Sequence, residues 1–155
     1  MATQLKDELR QRKPFESLQH EAQLSILRTA AMMMDGVEQV LRPHGITATQ
    51  FNVLRILRGA EPDGLCRNEI RDRMLNRMPD VTRLLDRMEE AGLIQRSRSD
   101  PDRRVVRTRI TEAGSAILDA VDADVRAQHE RPFVDLDEKE VRTLIRLLAS
   151  IRDRL

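Results

Sequence analysis

Residues 76–114, NRMPDVTRLLDRMEEAGLIQRSRSDPDRRVVRTRITEAG, carry the pattern that decides the fold. On a wheel of 3.6 residues per turn, Val81, Leu84, Leu85 and Met88 fall on one stripe. Thr82, Arg83, Asp86 and Arg87 fall on the opposite face. Pro79 is expected in the first turn, where a missing N–H costs little, and Gly92 is a natural stop. A helix anchored by an apolar stripe and turning Thr and Arg outward is suited to reading base edges in a major groove.

The segment that follows reads as a hairpin. Leu93 to Arg98 runs into the turn-rich tip Ser99-Asp100-Pro101-Asp102, and Val105 to Ile110 returns. Alternation predicts Val106, Thr108 and Ile110 on one side and Arg107 and Arg109 on the other. Arg103 and Arg104 sit just past the tip, placed for a minor groove or for phosphates. Thr111 is expected to cap a further helix, with Glu112 near its positive end. A reading helix followed by a basic hairpin is a winged helix-turn-helix. The expected fold class is therefore mainly α with a small β-wing, flanked by N- and C-terminal dimerisation helices.

The run VTRLLDRMEEAGLIQRSRSDPDRRVVRTRITEAG also resembles the signature of the MarR family of bacterial transcriptional regulators. The matching positions are Thr82, Arg83, Asp86, Gly92, Leu93, Ile94, Arg96, Asp102, Arg103, Arg104, Thr111 and Gly114. The resemblance, supported by length and helical flanks, extends over nearly the whole chain. It implies a homodimeric regulator of transcription, an effector-responsive repressor acting on a palindromic operator. It also implies that Arg104 reaches a minor groove and is steadied by an acid, for which Asp102 and Asp86 are the candidates. Many members carry an acidic residue just before the recognition helix for that purpose; here the place holds Arg77. On this expectation Arg104→Ala lowers operator affinity and flattens the salt dependence by about one phosphate's worth.

Charge distribution agrees with this more than net charge does. The chain of 155 residues has 27 Lys+Arg against 26 Asp+Glu. From Cys66 to Ile110, however, 12 arginines face 8 acids, whereas from Thr111 to Glu140 only 3 bases face 9 acids. One face is thus suited to phosphates and another is kept away from them. Arginine forks suit phosphate and guanine edges. The candidate DNA-contacting set is Arg77, Pro79, Asp80, Thr82, Arg83, Arg87, Arg103 and Arg104. The competing reading of the helix face is solvated Asp86–Arg83 or Glu90–Arg87 pairs, each worth a few tenths of a kcal/mol.

Outward from this centre, Phe15 to Leu41 is expected to form one long helix whose apolar set is broader than a single core-facing stripe. Such a helix has a second surface to cover, and a partner copy is inferred. Thr47 and Gln50 stand in capping-box spacing ahead of a helix that Gly59 closes. Arg67 to Leu75 precedes the reading helix, anchored by Ile70, Met74 and Leu75. Thr111 to about Gln128 is helical, and Asp137 caps a last helix whose Val141, Leu144, Ile145, Leu148, Ile151 and Leu155 form a stripe. Short terminal helices of this kind seldom stand alone in water. The expected division is residues 1–45 for dimerisation, 46–112 for DNA and 113–155 for dimerisation.

Other function classes fit these residues less well. No nucleophile–base pair, paired-acid site or phosphate-cradling glycine loop points to an enzyme. A helical dimeric protein-interaction module with only nonspecific DNA affinity is the alternative, as is a redox-responsive regulator using Cys66, which lies near a helix N-terminus beside Arg67. Thiol-sensing members of the resembled family place their cysteine in the first helix, and this chain has none there. A single cysteine excludes an internal disulfide, and His20, His44 and His129 lack metal-ligand spacing. No metal or cofactor is expected. No stretch approaches the roughly 20 apolar residues of a membrane span, so a cytoplasmic protein is expected. The resemblance further implies a small aromatic or phenolic effector between the dimerisation helices and the DNA-binding lobe, here near Met33, Val37, His44, Phe51 and Ile117.

Overall fold

The computed structural model describes residues 5–76, 78–98 and 105–155. Helix starts follow side-chain capping. After a single turn, α1 (Leu5–Glu8), Ser17 accepts from the His20 N–H at 3.1 Å and opens α2 (Leu18–Leu41). Phe15 therefore stands before the long helix, with its ring edge-on to His20, and does not start it. Thr47 and Gln50 form the expected capping box for α3 (Ala48–Arg58), bonding reciprocally at 3.2 and 2.9 Å. The remaining helices are α4 (Arg67–Arg73), α5 (Val81–Glu90), α6 (Glu112–Glu130) and α7 (Glu138–Arg152). Asp137 and Glu140 cap α7 as expected, at 2.8 and 2.9 Å.

Two further boundaries differ from the sequence expectation. Helix α4 stops at Arg73, because Met74 is already extended at ψ 141°. Met74 stays buried, but Leu75 is 82% exposed and anchors nothing; its N–H is taken by Asn52 Oδ1 at 3.1 Å. Pro79 lies one residue ahead of the N-cap, Asp80, and not in the first turn of α5. At the other end Gly92, at φ 72°, takes the left-handed position, and the Leu93 and Gly92 N–H groups bond back to Met88 O and Glu89 O. This sharp stop sends the chain straight into the hairpin.

Strands β1 (Ile94–Arg98) and β2 (Val106–Ile110) pair antiparallel, with Ile94 opposite Ile110 and Arg96 opposite Thr108. Leu65 adds a one-residue third strand, exchanging both backbone bonds with Thr108 at 3.0 and 2.8 Å. Thr108 and Ile110 are buried as the alternation predicted; Val106, nearer the tip, is not.

One apolar cluster ties these parts together. It joins Leu41 of α2, Leu54 and Leu57 of α3, Ile70 of α4, Leu85 and Met88 of α5, Ile94 of β1 and Leu118 and Val121 of α6. Each such side chain contributes about 1.5–3 kcal/mol by leaving water. Helix α7 takes no part: none of its residues is buried, and Leu144, Ile145 and Ile151 of its stripe are exposed. Ile26, Leu27 and Met34 on α2 are exposed as well. No helix among the described residues is long and apolar enough to cross a membrane.

Candidate nucleic-acid interface

Helix α5 divides as its sequence periodicity requires. Val81, Leu84, Leu85 and Met88 are buried, while Thr82, Arg83 and Arg87 are exposed. Asp80 accepts from the Arg83 N–H at 3.0 Å and caps the helix, and its other oxygen meets Arg83 Nε at 3.1 Å. Its carboxylate is thus occupied in holding the helix start and aiming Arg83, whose side chain remains 83% exposed. Arg87 Nε lies over the same face and donates to Arg83 O at 3.3 Å. Pro79, exposed, flanks the cap.

Packing adds a residue that periodicity did not reveal. Arg67, the first residue of α4, donates from Nη1 to Thr82 Oγ1 at 3.2 Å. Arg67, Thr82 and Arg96 share the wall of a cleft of about 400 Å³ between α4, α5 and the hairpin. Only its place at a helix start hinted at this role, because the contact spans fifteen residues of chain. Cys66 lines the same cleft, half-buried, and its N–H donates to Glu69 Oε2 at 2.7 Å.

Asp86 faces the base of the hairpin. Arg96 Nη2 donates to Asp86 Oδ1 at 2.7 Å and to Glu89 Oε2 at 2.6 Å, while its Nε meets the same Glu89 oxygen at 2.8 Å. The Arg96 N–H also reaches Glu89 Oε1 at 2.9 Å. Hydrogen bonds from Arg96 hold the Glu89 carboxyl below the usual carboxylate range against the opposing effect of burial. Glu89 in turn raises the Arg96 guanidinium, with Asp86 adding. The hairpin is therefore bound to α5 at its root by an arginine that the sequence matched to a motif but did not assign a task. Arg77, Asp102, Arg103 and Arg104 lie outside the described residues.

The expected effector residues are separated. Val37 and Phe51 line one groove of about 430 Å³, together with Met34, Asn52, Met74 and Leu75. Met33 points elsewhere, into a depression with Gly36 and Gln128, because adjacent helix positions are turned by about 100°. His44 is exposed on a 3₁₀ turn, and Ile117 packs partly buried against the core. At the groove the Arg55 guanidinium lies 5.9 Å from the centre of the Phe51 ring. Among the described residues, no group of three His, Cys, Asp or Glu side chains is placed to hold a metal ion.

A buried-stripe helix with Thr and Arg outward, set behind a shorter helix and rooted to a two-stranded hairpin, defines a winged helix-turn-helix regulator. The MarR family model matches residues 46–106. The HTH-type transcriptional regulator TtmR of Methylorubrum extorquens is 30% identical over 140 residues, covering 90% of this chain and 70% of that protein. A MarR transcription factor from Planctomyces limnophilus is 38% identical, with a TM-score of 0.65 over 88% of this chain and 98% of that one. S. aureus MepR, solved in complex with DNA, is 25% identical, with a TM-score of 0.79 over 86% and 97% of the two chains. The chain belongs to the MarR family of transcriptional regulators.

Proposed function

We propose that this chain is a sequence-specific DNA-binding regulator, an effector-responsive repressor that acts as a homodimer on a palindromic operator. The observation that carries the reading is the split of α5, with Arg83 and Arg87 exposed on one side and its apolar stripe buried on the other. In this reading Thr82, Arg83, Arg87 and Arg67 meet base edges and phosphates, and Asp80 orients Arg83 instead of touching DNA. Arg77, Arg103 and Arg104 add contacts at the turn and the wing, with Asp102 available to brace them. MepR, solved on DNA, supports the general mode.

The partner copy covers the exposed stripes of α7 and α2, whose burial would remove several large apolar side chains from water. Residues 1–45 and 113–155 then serve association and 46–112 serves DNA. A twofold sets the two α5 helices one turn of duplex apart. The Val37–Phe51 groove lies between α2 and the α3–α4 unit, so an aromatic or phenolic molecule seated there would change the separation of the two reading helices. Met34 and Met74 give that groove adaptable walls.

The test is a titration of the duplex upstream of the gene against a scrambled duplex of equal length. A preference of about 10³ or more supports the reading. Weak and equal binding to both would replace it with a helical module that associates with protein and holds DNA only through charge.

A further inference from the structure

Behind the hairpin lies a second basic surface, separate from the one that α5 presents. A recess of about 730 Å³ is walled on one side by Glu69 and Arg73, one turn apart on α4, and on the other by Ser97, Arg98, Arg107 and Arg109 of the strands. Strand alternation sets its direction. Arg96 and its partner Thr108 turn toward α5 and the core, so Arg107 and Arg109 project from the opposite side of the sheet.

Arg73, Arg107 and Arg109 line this recess against the carboxylates of Glu69 and Asp63. Glu69 is already committed: its Oε2 accepts from the Cys66 N–H at 2.7 Å and from Arg107 Nη1 at 3.1 Å. Arg107 Nη1 also reaches Gly64 O at 3.3 Å. Among the described residues neither Arg73 nor Arg109 meets a carboxylate, and the covered Arg109 Nε finds no acceptor. A covered N–H without an acceptor is costly even on a half-buried side chain, and like charges gathered in one concavity repel. Both costs fall when an anion enters. Planar guanidinium forks match phosphoryl oxygens two at a time, and the volume is that of a small-molecule site.

We propose that this recess binds a small diphosphate-bearing molecule through Arg73 and Arg109. The site is independent of the DNA-reading face.

The probe is inorganic pyrophosphate, titrated calorimetrically into the full chain at fixed ionic strength. Saturable binding of one pyrophosphate per chain is expected. Its Kd should rise about tenfold or more in Arg73→Ala and in Arg109→Gln, the loss of one charge-assisted pair, and stay unchanged in Arg83→Ala. Arg73 is exposed, so its variant remains informative should Arg109→Gln fail to fold. The proposal is overturned if wild-type chain shows no saturable binding. It is equally overturned if Arg83→Ala, and not Arg73→Ala, removes the binding. A third contrary result is that Arg73→Ala weakens a random-sequence duplex while pyrophosphate does not compete with that duplex, which would make the recess a contact for DNA phosphates.

Discussion

Arg96 of β1 and Glu89 of α5 meet through both the side chain and the backbone of the arginine, at 2.6–2.9 Å, which ties the hairpin to the reading helix. The two side chains are 27% and 37% exposed, and the bond is multidentate. These properties separate it from the solvated pairs that contribute almost nothing. A double-mutant cycle of Arg96→Ala and Glu89→Ala, followed by urea unfolding, should give a coupling of about 1 kcal/mol. A coupling indistinguishable from zero would mean that the hairpin is held by its apolar packing and its other bonds, with no contribution from this pair.

The same pair predicts a pH dependence. Glu89 has a lower pKa folded than unfolded, because Arg96 bonds its charged form. Its contribution is complete above the ordinary glutamate pKa of about 4.3 and is lost as the pH falls through the lowered folded value. Glu89→Gln should therefore lower the urea midpoint at pH 7, and the gap from wild type should narrow steadily below about pH 4. A gap that stays constant down to acid unfolding would remove this electrostatic account.

Removing a guanidinium from the exposed face of α5 should change binding without changing the fold. Arg83→Ala and Arg87→Ala are each expected to lower operator affinity by about tenfold or more, the 1–3 kcal/mol of a base or phosphate contact. Thermal unfolding should shift by less than a degree or two. Parallel losses of affinity and of Tm in both variants would assign these arginines to structure.

Gly114 marks where α6 passes the end of α5. A Cβ added there would lie 2.3 Å from Leu93 O and 2.9 Å from Ile110 Cγ1, both parts of a packed junction. Gly114→Ala should cost about 1–3 kcal/mol by overpacking, read as a drop in the urea midpoint at constant slope. Unchanged stability would show that the hairpin root is looser than the bonding of Arg96 indicates.

What the chain discloses in one dimension is periodicity and capping. The α5 stripe, the Thr47–Gln50 box and the Asp137 cap depend on neighbours within one or two turns, and each was legible. Leu75 misled because an apolar residue next to a helix resembles an anchor until Met74 turns extended. The contacts of Arg67 with Thr82 and of Arg96 with Asp86 join separate elements, and nothing local announces which acid an arginine will choose. Its place beside the reading helix offers Asp80 to DNA, yet its short side chain at the helix start serves the Arg83 N–H first. The effector set scattered for a related reason. A helix turns Met33 to a different side from Met34, His44 stands on a 3₁₀ turn outside the groove, and Ile117 packs against the core.

If two copies of this chain present two α5 faces to one duplex, selection by the full chain from a random DNA pool should enrich an inverted repeat. Its half-site centres should lie about 10 base pairs apart, with two chains bound per duplex. A pool that yields no shared motif, or a single half-site held by one chain, would rule that arrangement out.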